Sequence, residues 1–278
     1  MSRLFVSDLD GTLLDGSGQL SARTRAELVE LLASGMRFTV ATARSVHTMA
    51  PILGDLAISL PVIEYNGAFI SDLRTRRSLV CHALEPEIAE VVMRWGLAAG
   101  IYPFVSTFTD DEQRVYPPPI VSNAGVAWWL EDRARLGDAR LRPPMNCFAT
   151  LDQAITCVSL IGRAATLAPI AAQIEDSFPG RTHASYYENR YSPGWHWLTV
   201  QSRYATKDRA LREVAELCGI GLDAVTVFGD DINDVTMFRC AGRAVAVENA
   251  IDDLKRIAHE VIGPHHDDSV VQYLRRTF

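Results

Sequence analysis

The stretch from Leu4 to Leu14, LFVSDLDGTLL, limits what this chain can fold into more than any other segment. Leu4, Phe5 and Val6 lead directly into Asp8 and Asp10 and then into Gly11 and Thr12, so a buried strand stops where carboxylates begin. Residues two apart on an extended chain point the same way, which predicts both carboxylates on one side of the strand end. Ionised carboxylates beside a core are unstable unless a cation or strong donors compensate them, so the pair asks for a metal. Asp and Gly also follow strands simply because they make turns. Three further apolar runs add weight to the functional reading. Phe38 to Ala41, Trp197 to Val200 and Val225 to Phe228 are followed by Thr42, by Lys207 and by Asp230-Asp231.

The same alternation of apolar runs and helical periodicity organises both ends of the chain. Ser21 caps a predicted helix over 22–34 that Gly35 ends, with a strand over 36–41, a helix over 46–53 and a strand over 61–65 behind it. Residues 68–72 and 78–81 read as a hairpin turned through 74–77. Near the C-terminus a helix over 207–218, a strand over 225–228, a helix over 233–239 and a strand over 244–247 continue the pattern. Such alternation predicts an α/β fold with a Rossmann-like parallel sheet core and helices on both faces. Between these ends the rhythm changes to helix 86–99, short strands around Phe104 and Val115, helix 120–135, strand 155–161, helix 166–178 and two more strands. Pro117-Pro118-Pro119 and Pro143-Pro144 punctuate this stretch. The domains are therefore expected to be a core of 1–83 with 202–278 and an inserted α+β cap domain of 84–201.

A formal net charge of −7 works against nucleic acid or an anionic membrane as a partner, since both reward clustered Lys and Arg. Asp8 and Asp10 interrupt the N-terminus before a signal-peptide segment can form, and no apolar run reaches the roughly 20 residues that cross a bilayer. The five cysteines are odd in number and show no C-x-x-C spacing, which fits reduced thiols in a cytoplasmic protein. His265-His266-Asp267-Asp268 has the composition of a metal site but reads as a solvated helix start before Val270 and Val271.

The order Asp8-Leu-Asp10-Gly-Thr12, then Thr42, then Lys207, then Gly229-Asp230-Asp231-Ile-Asn233-Asp234 resembles the haloacid dehalogenase-like phosphohydrolases, in particular their Cof-type sugar-phosphatase branch. Asn66-Gly67-Ala68 after a strand resembles that branch as well, and the resemblance covers roughly 1–80 and 200–278. It implies a magnesium-dependent phosphatase acting on a small phosphorylated metabolite, plausibly a sugar phosphate, through an aspartyl-phosphate. Asp8 is the candidate nucleophile, because a carboxylate that attacks phosphorus splits one slow hydrolysis into two easier steps. Asp10 is the candidate acid and then base. Lys207 offers a compact positive charge and Thr42 a neutral donor to the phosphoryl oxygens. The resemblance gives Asp8, the backbone carbonyl of Asp10 and Asp230 as Mg2+ ligands, with Asp231 and Asp234 behind them or acting through water. It makes Asn233 a phosphate or substrate contact, and Arg44, Asn66 and Gly67 join it because their segments end at the catalytic edge.

Taken singly, Thr42 is an ordinary strand-end residue, Lys207 a solvated helix start, and Asp230 to Asp234 an N-cap; their order and context set them apart. Two positions depart from the family pattern: Ala43 and Asp208 stand where glycines are usual after Thr42 and Lys207, adding bulk near the phosphate and a negative charge near Lys207. Of the residues near the return to the core, Tyr186, Tyr187, Asn189, Arg190, Trp195, His196 and Trp197 are candidates for substrate contact, with Trp195 and Trp197 expected to pack instead. Three other readings compete: a receiver-like module that takes up phosphate and signals, a silent ligand-binding relative, and a phosphotransferase to an acceptor other than water.

Overall fold

The computed structural model describes residues 3–189 and 192–278, which divide into two compact units, 3–80 with Ala205–Phe278 and Cys81–Tyr204. The sequence reading set the junctions at 83/84 and 201/202. In chain order the first unit begins with β1 (Leu4–Ser7), α1 (Ala22–Ala33), β2 (Arg37–Val40), α2 (Val46–Leu53), β3 (Val62–Glu64), β4 (Phe69–Ser71) and β5 (Ser78–Cys81). The inserted unit holds α3 (Pro86–Ala98), β6 (Phe104–Thr109), β7 (Glu112–Tyr116), α4 (Ala124–Arg135), β8 (Ala154–Gly162), α5 (Ala164–Ser177), β9 (Thr182–Glu188) and β10 (His196–Ser202). The chain then adds α6 (Lys207–Leu217), β11 (Val225–Gly229), α7 (Val235–Cys240), β12 (Arg243–Val247), α8 (Asp252–Ile257), β13 (Glu260–Ile262) and α9 (Ser269–Thr277).

Five strands of the first unit form a parallel sheet in the order β13-β12-β11-β1-β2, with Leu4, Phe5, Val6 and Ser7 of β1 fully or almost fully buried between two neighbours. Strands buried on both faces read as continuous apolar runs, which is how LFV and VTVF stood out in the sequence. The chain steps from β1 to β2 in one direction and from β11 through β12 to β13 in the other. Right-handed crossovers then put α1 on one face and α7 and α8 on the opposite one. The order reverses between β1 and β11, and in open parallel sheets the crevice for ligands lies beyond the carboxyl ends of the strands at such a point.

Local chemistry sets the ends of the elements. The Ser21 hydroxyl accepts the Thr24 N–H at the start of α1, and Gly35 follows the helix at φ +91°. Strand β3 joins the main sheet only through a bridge from Ala41 to Ile63 and otherwise pairs antiparallel with β4, in a separate sheet of order β3-β4-β5. The helix expected over 120–135 starts only at Ala124, because the Asn123 side chain caps it at the Val126 N–H. Residues 233–239 are likewise divided, with a single 3-10 turn over Ile232–Asp234 before α7. Helix α8 and strand β13 were not foreseen: six and three residues carry too little periodicity to register.

The inserted unit is an antiparallel sheet, β7-β6-β8-β10-β9, with α3 and α5 packed on one apolar core. A second cluster joins Trp197, Ile161 and Phe104 to Val126, Trp128 and Trp129 of α4 and to Trp195, so both strand-end tryptophans pack as expected. The Arg163 guanidinium covers the Trp195 ring at 3.9 Å.

Candidate active site

The first strand delivers Asp8 to the crevice. Its backbone N–H continues the parallel ladder to the Phe228 carbonyl at 3.0 Å, and its side chain is 7% exposed. Lys207, the first residue of α6, has a side chain with no solvent exposure, and its Nζ donates to Asp8 Oδ1 and Asp234 Oδ1, each at 2.6 Å. The other Asp234 oxygen accepts the N–H groups of Asp230 (2.9 Å) and Asp231 (3.1 Å). Asp234 thus ties the loop after β11 to the ammonium, and a side chain at Gly229 would collide with it at 2.5 Å. The Thr12 hydroxyl donates to Asp230 Oδ1 at 2.8 Å. Gly11, at φ +79°, brings its turn so close that a Cβ would lie 2.3 Å from Asp230 Oδ2.

One carboxylate oxygen from each of Asp8, Asp230 and Asp234 lies within 4.8 Å of the others. Burial pushes the Asp8 carboxyl well above its ordinary value; the Lys207 ammonium opposes this, while the Asp234 and Asp230 charges reinforce it. Burial likewise raises Asp230 to about 6 against the Thr12 hydrogen bond, with Asp234 and Asp231 adding to the rise. Burial alone would lower the Lys207 ammonium, but the Asp234 and Asp8 charges outweigh it and hold it up. Three carboxylates facing one ammonium leave two negative charges uncompensated, and an all-oxygen donor set of this kind suits Mg2+.

Thr42 and Arg44 follow β2, and backbone bonds knit their loop to the segment after β3. Asn66 N–H donates to the Thr42 carbonyl (2.9 Å) and Tyr65 N–H to the Arg44 carbonyl (3.2 Å). Tyr65 and Asn66 both sit at positive φ, +48° and +57°, an uncommon conformation for side-chain-bearing residues that clusters at functional sites. Gly67 is required next to them, since at φ +112° its Cβ would lie 2.3 Å from the Thr206 carbonyl oxygen. Asn233 reaches across from the loop after β11 and donates from Nδ2 to Asn66 Oδ1 at 3.0 Å, while its own Oδ1 is buried with no protein partner among the described residues.

Asp10 departs from the sequence expectation. Pairing within the sheet ends with β1, and the chain turns over Leu9–Leu13 with Gly11 at φ +79°, so two-residue alternation no longer applies. Asp8 is buried while the Asp10 side chain is 56% exposed and pairs with Arg44, whose Nε donates to Oδ2 at 2.7 Å and Nη2 to Oδ1 at 2.5 Å. Asp231 is exposed and caps the next turn through the Ile232 N–H at 2.7 Å, apart from the three clustered carboxylates.

Ala43 is exposed and its φ is not positive, so its methyl group needs no glycine-like backbone. Asp208 lies in the first turn of α6, where an acidic side chain complements the helix dipole, and the charges acting most strongly on Lys207 are Asp234 and Asp8. In the inserted unit Tyr186 and Tyr187 are exposed, Tyr186 stacks on His196 at 5.3 Å, and Asn189 N–H donates to the Trp195 carbonyl at 3.0 Å. Arg190 lies outside the described residues. Sequence reasoning missed two supporting residues. Asn249 donates to the Gly11 carbonyl at 2.8 Å and accepts the His265 N–H at 2.9 Å, pinning the turn after β1. Glu64 is fully buried and accepts from the Val46 N–H and the Ser71 hydroxyl. Its signal was a lone acid in an apolar strand, whereas a solvated Asn gave none.

A family model described as haloacid dehalogenase-like hydrolase matches residues 5–274. The chain is 22% identical over 277 residues to the 5-amino-6-(5-phospho-D-ribitylamino)uracil phosphatase YitU of Bacillus subtilis, covering 99% of this chain and 97% of that one. It is 25% identical over 280 residues to the pyridoxal phosphate phosphatase YbhA of Escherichia coli, at 98% and 97% coverage. A haloacid dehalogenase-like hydrolase from Bacteroides thetaiotaomicron superposes with a TM-score of 0.79 at 21% identity, over the whole of both chains. With its sheet order, its acidic crevice and this match along almost its whole length, the chain belongs to the haloacid dehalogenase-like hydrolases of the Cof type.

Proposed function

We propose that this hydrolase is a Mg2+-dependent phosphomonoesterase that cleaves a small phosphorylated metabolite through an aspartyl-phosphate on Asp8. One observation carries the reading: Asp8 is buried at the strand-order reversal with one oxygen on Lys207 and two further carboxylates beside it. The relatives named for phospho-ribityl and pyridoxal phosphate substrates point to the same class of small monoester, and a sugar phosphate fits it. Asp8 and Asp230, with the Asp10 backbone carbonyl, would hold the ion. When bound, Mg2+ screens the carboxylates from an incoming phosphate dianion.

Asp8 attacks phosphorus through the oxygen that Lys207 leaves unbonded, the P–O bond to the alcohol breaks, and Asp10 gives its proton to the departing oxygen. In the second half Asp10 takes a proton from water as that water attacks phosphorus. The bond to Asp8 then breaks, releasing inorganic phosphate. Lys207 and the Thr42 hydroxyl stabilise the phosphoryl oxygens, and the Asn66-Gly67 and Asn233 loops contact the substrate. Asp234 keeps Lys207 and the loop after β11 in register, with Asp231 behind it. Residues 84–201 act as the cap that selects the leaving group, and the free cysteines suit the cytoplasm. The test measures phosphate release from a panel of sugar, cofactor and nucleotide monoesters with Mg2+ or with EDTA. Metal-dependent release that vanishes in a folded Asp8→Asn variant is expected, and undiminished release by that variant would refute the proposal.

A further inference from the structure

The loop between β12 and α8 grips both of the turns that bear the clustered carboxylates. Asn249 donates from Nδ2 to the Gly11 carbonyl at 2.8 Å, on the turn that follows Asp8, and the Ile251 N–H donates to the Asp230 carbonyl at 2.9 Å. Asn249 Oδ1 in turn accepts the His265 N–H at 2.9 Å. Gly11 presents an acceptor and His265 a donor, so the amide fits only one way round. The loop that carries it is tied down at several points. Glu248 N–H donates to the Gly263 carbonyl (3.3 Å), Ala250 N–H to the Val247 carbonyl (3.0 Å) and Ser269 Oγ to the Pro264 carbonyl just ahead of His265 (2.8 Å).

The bond from Asn249 falls where the turn after β1 has least stiffness of its own. A Cβ at Gly11 would lie 2.3 Å from Asp230 Oδ2, so glycine is required there, and glycine restricts its own φ and ψ least of all residues. The Asp10 carbonyl belongs to the adjoining peptide, one Cα away from the carbonyl that Asn249 holds. On the other side of Gly11 the Thr12 hydroxyl bonds Asp230 Oδ1. Oxygens of Asp8, Asp230 and Asp234 lie within 4.8 Å of one another around one ammonium, and without a cation their charges repel. A turn free to pivot at Gly11 would let them spread.

We propose that Asn249 is a positioning residue for the metal: without being a ligand, it keeps Asp8 and the Asp10 carbonyl in register with Asp230 against that repulsion, a role that rests on the Mg2+ site of the phosphatase reading. Asn249 is exposed, so its two hydrogen bonds add little to the stability of the fold. What their loss lowers is the affinity of the carboxylates for the ion.

The experiment titrates metal-free wild type, Asn249→Ala, Asn249→Ser and Asn123→Ala with Mg2+ in a calorimeter, with no substrate present, and melts each protein in EDTA. Asn123 is a matched control from the inserted unit: its amide also bridges a carbonyl and an N–H, donating to Ile161 at 2.9 Å and accepting from Val126 at 3.0 Å. All three variants are expected to melt within about 2–4 °C of wild type in EDTA. The Mg2+ dissociation constant should rise about 10-fold in Asn249→Ala and in Asn249→Ser, whose hydroxyl is too short to span both partners, and stay within about 2-fold in Asn123→Ala. Unchanged Mg2+ affinity in both Asn249 variants would overturn the proposal, as would an equal loss in Asn123→Ala or failure of both Asn249 variants to fold, which would make the contact structural. Wild type that takes up no Mg2+ would overturn the metal site itself, and this role with it.

Discussion

Replacing Lys207 with methionine tests the charge balance on which the site depends. The side chain has no solvent exposure and its Nζ bridges Asp8 and Asp234, both themselves buried. Methionine fills most of the volume and removes the charge, leaving two carboxylates in a dry environment with no ammonium between them. Breaking a buried pair by removing one partner costs about 3–5 kcal/mol. At roughly 2–4 °C per kcal/mol for a domain of this size, metal-free Lys207→Met should melt about 6–20 °C below wild type at pH 7.5, followed by circular dichroism or calorimetry. Two further readings isolate the cause. Without Lys207 the Asp8 carboxyl rises further, so the variant's deficit should shrink as the pH falls from 8 to 5 and Asp8 takes up its proton. Adding Asp234→Asn to Lys207→Met should recover part of the loss by removing one uncompensated charge. A melting point within about 2 °C of wild type, well under the shift expected for a broken buried pair, would refute the reasoning.

Other outcomes follow from single contacts. Asp230 sits at about 6 against an ordinary 3.8, so in the metal-free protein its penalty is absent below about pH 4 and complete above about pH 7. Each pKa unit is worth about 1.4 kcal/mol, and partial exposure trims the total to about 1–2 kcal/mol. The stability of wild type relative to Asp230→Asn should therefore fall as the pH rises from 4.5 to 7.5, and saturating Mg2+ should abolish the trend. Gly67→Ala, forced to keep φ +112° with its Cβ on the Thr206 carbonyl, should cost about 2 kcal/mol or more and depress kcat by moving Lys207; a thermal melt and a single-substrate assay check it. Ala43→Gly, at an exposed position with ordinary φ, should change turnover less than about 3-fold and lower stability by no more than about 1 kcal/mol.

The acidic crevice was legible because parallel strands buried on both faces leave unbroken apolar runs, and the polar residues that end those runs gather at one edge. LFVSD and VTVFGDD announced β1, β11 and their carboxylates in this way. The direction of Asp10 was not legible. Alternation along a strand predicts side-chain direction only while the strand lasts, and β1 ends at Ser7, before the turn that carries Asp10 and Gly11. Its pairing with Arg44, 34 positions away, comes from a loop whose conformation depends on tertiary bonds to Tyr65 and Asn66. Nor did composition show that Asp234 is saturated by one ammonium and two backbone N–H groups while Asp231 faces water, since the two acids are three residues apart in one short loop. Asn249 left no trace for the same reason: its partner Gly11 is 238 positions away.

The close approach of Gly67 to Thr206 has a mechanical meaning. Residues 81–204 leave the parallel-sheet unit after β5 and return to it at Ala205, two positions before Lys207. Thr206 is wedged against a residue with no side chain to yield, and its carbonyl also accepts the Ala210 N–H of α6. The residue just before Lys207 is thus fixed by contacts made within the parallel-sheet unit. The charges around Lys207 therefore depend on contacts inside the parallel-sheet unit, whatever the length or fold of the segment inserted between Val80 and Ala205.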